Sequence, residues 1–345
     1  MTLALLVVAA CTAKVPPHNP LDPPHLPSPY AGTYAPNPGR PIDPTVGAAV
    51  GAYAHDGTLA GAAAGLALAA IRGEGNLDGW VVREAAWRAG WPWPIIDVGA
   101  WSVTQGGTPA PLATWLAALP EGTSVGVVRA RGSQGDAWVA LAGRSQVHLD
   151  LMPRQARSGS SLTLPVVDGG TYAVSDPDGR LWEGGLDAPQ PFSLVAPGEW
   201  LFEIRKAGVT EALFPIYVGM IPPELGLLGT AQPSAEPIGR AAELLDGIRD
   251  AYGAAPWIRD PLLDSGARAL LAKTGDVASL AAALGFDPDE AAKWECRGST
   301  VESCLDRILW DPRSRPALLG DSRRVGYAAE VDANGLHLVT FIAGR

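Results

Sequence analysis

Four arginines, two aspartates and two serines crowd the stretch "ILWDPRSRPALLGDSRRVGYAAEV", Ile308 to Val331. Arg313, Arg315, Arg323 and Arg324 could together hold an anion. At a helix end and in a loop, however, such residues are expected as solvated side chains that complement the helix C-terminus. The five histidines are scattered: His18 and His25 fall among prolines, and His55, His148 and His337 stand apart. None has a carboxylate and a nucleophile beside it in the arrangement that nucleophilic catalysis needs. His337 alternates with Leu336, Leu338 and Val339, the place of a solvent-facing or core-satisfied imidazole rather than a ligand. "GTSVG" (Gly122–Gly126) matches G-x-S-x-G, but that elbow needs a strand before the serine and a helix after it, and here the order is reversed. No phosphate-binding or dinucleotide fingerprint is present.

The three cysteines divide into one and two. "MTLALLVVAAC" is a short apolar run ending at Cys11, and Val8-Ala9-Ala10-Cys11 resembles the lipobox of bacterial lipoproteins, in which the thiol is acylated. The run is too short to span a bilayer, and a positive n-region is missing. Val15 to Pro44 follows with eleven prolines and no apolar periodicity, the composition of an extended spacer. An anchor at Cys11 with a spacer behind it implies export and attachment to a membrane through lipid. In an oxidising compartment Cys296 and Cys304 are expected as a disulfide. A metal pair is the rival, and no third and fourth ligand lies near.

Five tryptophans fall between Trp80 and Trp101. Exposed indoles such as Trp87, Trp91 and Trp93 would stack on sugar rings, whereas buried ones would supply the volume that an alanine-rich core lacks. The core reading is favoured. A net charge of −10 excludes a nucleic-acid partner, which would need clustered Lys and Arg. A length of 345 residues exceeds what one core usually supports, so several domains are expected.

The elements that must carry these residues change character along the chain. Between 46 and 153, Asp56 caps an alanine-rich helix that runs to Gly73; Asn76–Gly90 and "PLATWLAALP" are further helices, and a hairpin follows. Between 154 and 224 come short alternating strands, with Trp200, Phe202 and Ile204 on one face and Glu203 and Arg205 on the other, which predicts a small β-sandwich. Asp176 and Asp178 in "DPDG" form a turn rather than a calcium site. A linker at 225–233 leads to Ser234, an N-cap, then four helices and a hairpin through Asn334-Gly335. The class is α+β and multidomain: a signal at 1–11, a Pro-rich linker at 12–45, and two α+β units flanking the sandwich.

Residues 234–345 resemble the CAP fold of cysteine-rich secretory proteins, antigen 5 and pathogenesis-related proteins of class 1. The likeness rests on "DPLLDSGARAL" (Asp260–Leu270), "DPRSRPALL" (Asp311–Leu319), Val325-Gly326 and the closing hairpin, in that order. The family's two histidine positions fall on Leu270 and Ser314, and Glu295 is the one surviving acidic partner. The resemblance therefore implies a cleft around Leu270, Glu295 and Ser314 without metal chemistry, and no cofactor. "DGTLAGAAAGL" (Asp56–Leu66) parallels Asp260–Leu270, which makes the first unit a diverged copy of the last, with Leu66 again at the histidine position. The expected function is a non-catalytic binding or structural module on the cell envelope, with a lipid, polysaccharide or protein ligand. The alternatives are a hydrolase in which Glu295 meets His337 or another base, and a cell-wall carbohydrate binder that uses the tryptophans.

Overall fold

The computed structural model describes residues 32–39, 41, 43–149, 152–220, 228–320, 324–333 and 335–344. Cys11, His18, His25, Arg323 and Asn334 lie outside the described residues. Mixed α+β architecture is what it shows, in three packed units. None of the described helices is long and apolar enough to cross a membrane.

The first unit contains β1 (Thr33–Tyr34), α1 (Pro44–Val50), α2 (Gly57–Ile71), α3 (Gly79–Ala89), β2 (Ile95–Val103), α4 (Ala110–Ala118), β3 (Ser124–Gly132) and β4 (Gly135–Gly143). Asp56 starts α2 as expected, its carboxylate accepting from the Thr58 and Leu59 amides. The sheet order is β2-β4-β3, antiparallel throughout. Leu59, Ala63 and Leu66 of α2 join the main core, while Val46 and Val50 of α1 and Leu112 and Leu116 of α4 pack with Val125 and Val127 in a second cluster. Helices thus cover both faces of the sheet, and β2 and β3 are its edges. The expected spacer is partly wrong: from Thr33 onward the chain belongs to the fold. Tyr34 is fully buried and donates to the Pro215 carbonyl, and Pro38 bridges to Asp56. A tyrosine ring with its hydroxyl satisfied outweighs the bias of the surrounding prolines.

The middle unit contains β5 (Met152–Pro153), β6 (Gln155–Ala156), β7 (Ser160–Leu164), β8 (Gly170–Ser175), β9 (Leu181–Gly185), β10 (Gln190–Leu194), β11 (Gly198–Lys206) and β12 (Val209–Val218). A five-stranded sheet, β6-β12-β11-β8-β9, faces the pair β10-β7. Phe192 of β10 lies edge-on to Phe202 of β11, with ring centroids 5.7 Å apart, as the alternation in "EWLFEIR" requires.

The last unit contains α5 (Pro237–Ala251), β13 (Ile258–Arg259), α6 (Pro261–Leu271), α7 (Val277–Leu284), β14 (Ala292–Gly298), α8 (Val301–Leu309), α9 (Arg315–Leu319), β15 (Arg324–Asp332) and β16 (Gly335–Ala343), with sheet order β13-β15-β16-β14. Helix α5 begins on Pro237 with Glu236 as its N-cap, so Ser234 is not the cap; its hydroxyl accepts from the Glu236 amide instead. Within the stretch expected as a linker, the described residues from 228 onward are also held. Gly229 accepts from the Trp80 indole, and the Ala231 amide donates to Asp78.

First and last units share the contact between a capped helix start and a strand of the sheet. The Asp56 amide donates to the Val125 carbonyl and the Asp260 amide to the Val325 carbonyl, both at 2.8 Å. Gly126 lies against the backbone of Leu59 and Ala60, and Gly326 lies against that of Leu263 and Asp264. These two glycines let a helix approach its strand more closely than any side chain would permit.

Candidate binding groove

Strand β3 has a neighbour on one side only, apart from its first residues. Val125 gives its amide to Ala54 and its carbonyl to Asp56. Because a strand alternates, the amides and carbonyls of Val127, Arg129 and Arg131 point the same way, out of the sheet. Among the described residues no backbone group pairs with them. A groove of about 760 Å³ runs along this edge, within the range of ligand sites. One wall is the flank of α2, where Gly57, Ala60, Gly61 and Ala64 fall on one helical stripe. The other is Asn37, Gly39 and Pro41 with Asp43, Pro44 and Val46 at the start of α1.

The charges around the groove are uneven. Asp43 caps α1 through the Thr45 and Val46 amides, and Arg129 reaches its carboxylate at 2.8 Å. Burial alone would raise the Asp43 pKa; the Thr45 amide and Arg129 hold it below the usual carboxylate value. Arg129 is itself buried over the Trp138 ring, 3.9 Å from Asp136. Arg131 is exposed, and no carboxylate among the described residues lies within ion-pair distance of it. His55 also lines the groove. It is 8% exposed, and neither ring nitrogen makes a hydrogen bond of normal geometry. Burial lowers its pKa, opposed by the Asp56 carboxylate and the nearby backbone of Val127 and Gly39. The ring is therefore neutral at neutral pH.

The last unit caps the equivalent edge at one residue. Asp264, four residues after the Asp260 cap, accepts from the Tyr327 amide at 2.8 Å and pairs with Arg259 at 3.0 Å. Arg259, Asp264, Arg268 and Tyr327 reduce the groove there to about 420 Å³, and Ile238 of α5 adds to its lining. In the first unit the residues at the positions of Asp264, Arg268 and Tyr327 are Ala60, Ala64 and Val127. Helix α1 has 7 residues where α5 has 15.

The residues expected to form a cleft do not meet. Leu270 is buried in the cluster beneath α6, and Glu295 lies on the same side of the sheet, paired with Lys293 at 3.0 Å. Ser314 is elsewhere, donating to Asp311 at 2.6 Å. Glu295 does approach His337, at 3.9 Å, while the Arg297 guanidinium stands 3.3 Å from Nδ1 of the same ring. Lys293 holds the Glu295 carboxyl below its ordinary value. These side chains form a charged ladder along an open strand, where β14 exposes Lys293, Glu295 and Arg297. Among the described residues no three His, Cys, Asp or Glu side chains are grouped as metal ligands.

The described arginines of the opening stretch are each paired with a carboxylate, Arg315 buried and Arg313 and Arg324 partly exposed. Arg313 pairs with Glu183 at 2.7 Å and Glu203 at 2.6 Å, and Arg315 with Glu199 at 2.8 Å. All three carboxylates belong to the middle sheet. Arg324 pairs with Asp260 at 2.7 Å. The carbohydrate alternative fails on access. Trp87, Trp91 and Trp93 are 2%, 0% and 3% exposed, and no ring face is free for a sugar. Trp87 donates to the Leu213 carbonyl and Trp93 to that of Val147. Ser124 opens β3 rather than a helix, so "GTSVG" is no elbow. In "DPDG", Asp176 accepts from the Arg180 amide, which makes it a turn. Cys296 and Cys304 are joined as a disulfide that ties β14 to α8.

No family model matches the chain, and no curated protein matches it. Among solved structures it is similar to an outer surface protein from Borrelia burgdorferi, at 14% identity and a TM-score of 0.29, over 34% of this chain and 98% of that one. At that score and identity the likeness fixes neither fold nor function.

Proposed function

We propose that the protein is an exported, lipid-anchored, non-catalytic binding module of the cell envelope, and that the groove along β3 is its binding surface. The observation that carries the binding assignment is the groove itself: a sheet edge left unpaired beyond Val125, between two helical layers, with a buried imidazole at its side. Export and anchoring rest on the lipobox-like Val8–Cys11 and the prolines behind it. The non-catalytic assignment rests on the CAP-like order of residues 234–345, in which leucine and serine fall at the histidine positions. The first unit is taken as a diverged copy of the last, freed from the charged side chains that fill the second groove.

Two measurements test this reading. The wild-type chain, isolated from membranes, carries an acyl mass that Cys11→Ser lacks; a soluble wild type without it ends the anchor assignment. Full-length Cys11→Ser added to isolated envelopes of the producing cell is retained. Adding Ala64→Trp, which fills the groove from α2, lowers retention at least tenfold. Equal retention with and without that tryptophan rules out the groove as the binding surface.

A further inference from the structure

We propose that the β3 groove receives an extended peptide of a partner protein as an added strand, with small apolar side chains toward α2 and acidic ones toward Arg131. The proposal rests on the groove being the binding surface and names its ligand.

The free edge offers outward amides at Val127, Arg129 and Arg131 and outward carbonyls at Arg129 and Arg131, a template for one more strand, while the Val127 carbonyl faces the His55 ring. Segment Ala54–Asp56 already runs parallel to β3 at Val125 and then leaves it to enter α2. A guest strand would continue along the edge from that point. It would lie between helical layers, so its alternate side chains meet different surfaces. Those toward α2 face Gly57, Ala60, Gly61 and Ala64, which leave room for small apolar groups. Those toward α1 face the side of β3 that carries Arg129 and Arg131. Arg129 is already answered by Asp43, whereas Arg131 is exposed, so charge complementarity favours an acidic residue there. His55, buried and without a normal hydrogen bond, stands beside the same edge.

The last unit shows the same edge with its first outward amide capped. There Asp264 takes up the outward amide of Tyr327, and the groove shrinks. Ala60 cannot do this for Val127. The chain's own Val15–Ala31 is a poor occupant, because its prolines lack the amide a ladder needs.

The probe is the acetylated, amidated pentapeptide Val-Asp-Val-Asp-Val, titrated into the full-length protein by calorimetry. It is accompanied by two versions N-methylated at alternate residues and by a Val-Lys-Val-Lys-Val control. The parent peptide binds, and exchange of the Val127, Arg129 and Arg131 amides slows at least tenfold. One N-methylated version loses at least tenfold in affinity and the other does not, because an added strand turns only one edge to β3. Ala60→Asp, which copies Asp264, weakens binding at least tenfold, and Arg131→Glu reverses the preference between the acidic and basic peptides. Absence of binding at millimolar peptide overturns the proposal, as does equal affinity of all three acidic peptides. Protection of the same amides by self-association that Ala60→Asp abolishes overturns it in favour of a second copy. A tenfold gain in affinity on deleting residues 12–31 overturns it in favour of the chain's own segment. If Ala64→Trp lowers envelope retention while no peptide binds, the groove reading stands and the peptide proposal alone falls.

Discussion

The guanidinium of Arg315 stands 2.8 Å from the Glu199 carboxylate, and both are buried where the last unit meets the middle sheet. Tyr252 completes the group, donating to Glu199 at 3.0 Å with its ring under the guanidinium. Burial pushes the Glu199 carboxyl up, and Arg315 and Tyr252 oppose it. Removing one member of a buried ion pair leaves the other charge uncompensated, at a cost of about 3–5 kcal/mol. Arg315→Met is therefore expected to lower the urea unfolding free energy by that amount. Adding Glu199→Gln, which retains an oxygen for Tyr252, should recover most of it. A loss below about 1 kcal/mol in the single variant would show that the clasp does not hold the units together.

Cys296 and Cys304 are 8 positions apart, and they fix α8 to the inner face of β14. Closing so short a loop restricts the unfolded chain by an amount worth about 2.5 kcal/mol. Reduction in urea is expected to lower stability by about that much, and Cys296→Ala/Cys304→Ala should be insensitive to reductant. If wild type and the double variant melt together in oxidant, the bridge contributes nothing to stability.

Local chemistry makes part of this legible in the sequence. Asp56 and Gly73 bracket the first long helix, and the alternation in "EWLFEIR" sets Trp200, Phe202 and Ile204 on one face; the other face, expected to be open, is buried as well, because Glu199 and Glu203 meet arginines of the last unit. Several elements escape, among them α1, α9, β13 and the longer strands β2 and β14. β2 is hidden in the tryptophan run, and β14 is masked by the charges of Lys293, Glu295 and Arg297, which point out while Trp294 and Cys296 point in. The clasp was illegible because its partners are distant in sequence: Arg313 and Glu203 are 110 positions apart. The groove was illegible for the opposite reason. It depends on what Ala60 and Ala64 leave empty, and an alanine in a helix ordinarily signals only propensity.

His55 gives the protein a pH dependence with a definite sign. Burial lowers its folded pKa below the ordinary value of 6.5. Below about pH 6.5 the unfolded chain therefore binds a proton that the native ring refuses, and stability falls as pH drops through that window. The wild type is expected to lose more thermal stability between pH 7 and pH 5 than His55→Gln, which has nothing to titrate at that position. Equal losses in the two proteins would show that the ring is not held neutral by its surroundings.

Gly126 and Gly326 occupy matched places, and they should fail in the same way. A methyl group on either would fall inside the backbone of the facing helix, at Leu59–Ala60 in one unit and at Leu263–Asp264 in the other. Backbone cannot move aside as a side-chain tip can, so α2 or α6 would have to lift off its sheet and leave a gap over the core. Gly126→Ala and Gly326→Ala are each expected to cost about 3 kcal/mol or more in chemical denaturation. Gly65 is the control. It lies exposed within α2 with nothing near its missing Cβ, so alanine there should instead add about 0.5–1 kcal/mol through helix propensity. If Gly126→Ala proved as mild as Gly65→Ala, α2 would not lie against β3 at the close distance that sets the width of the groove.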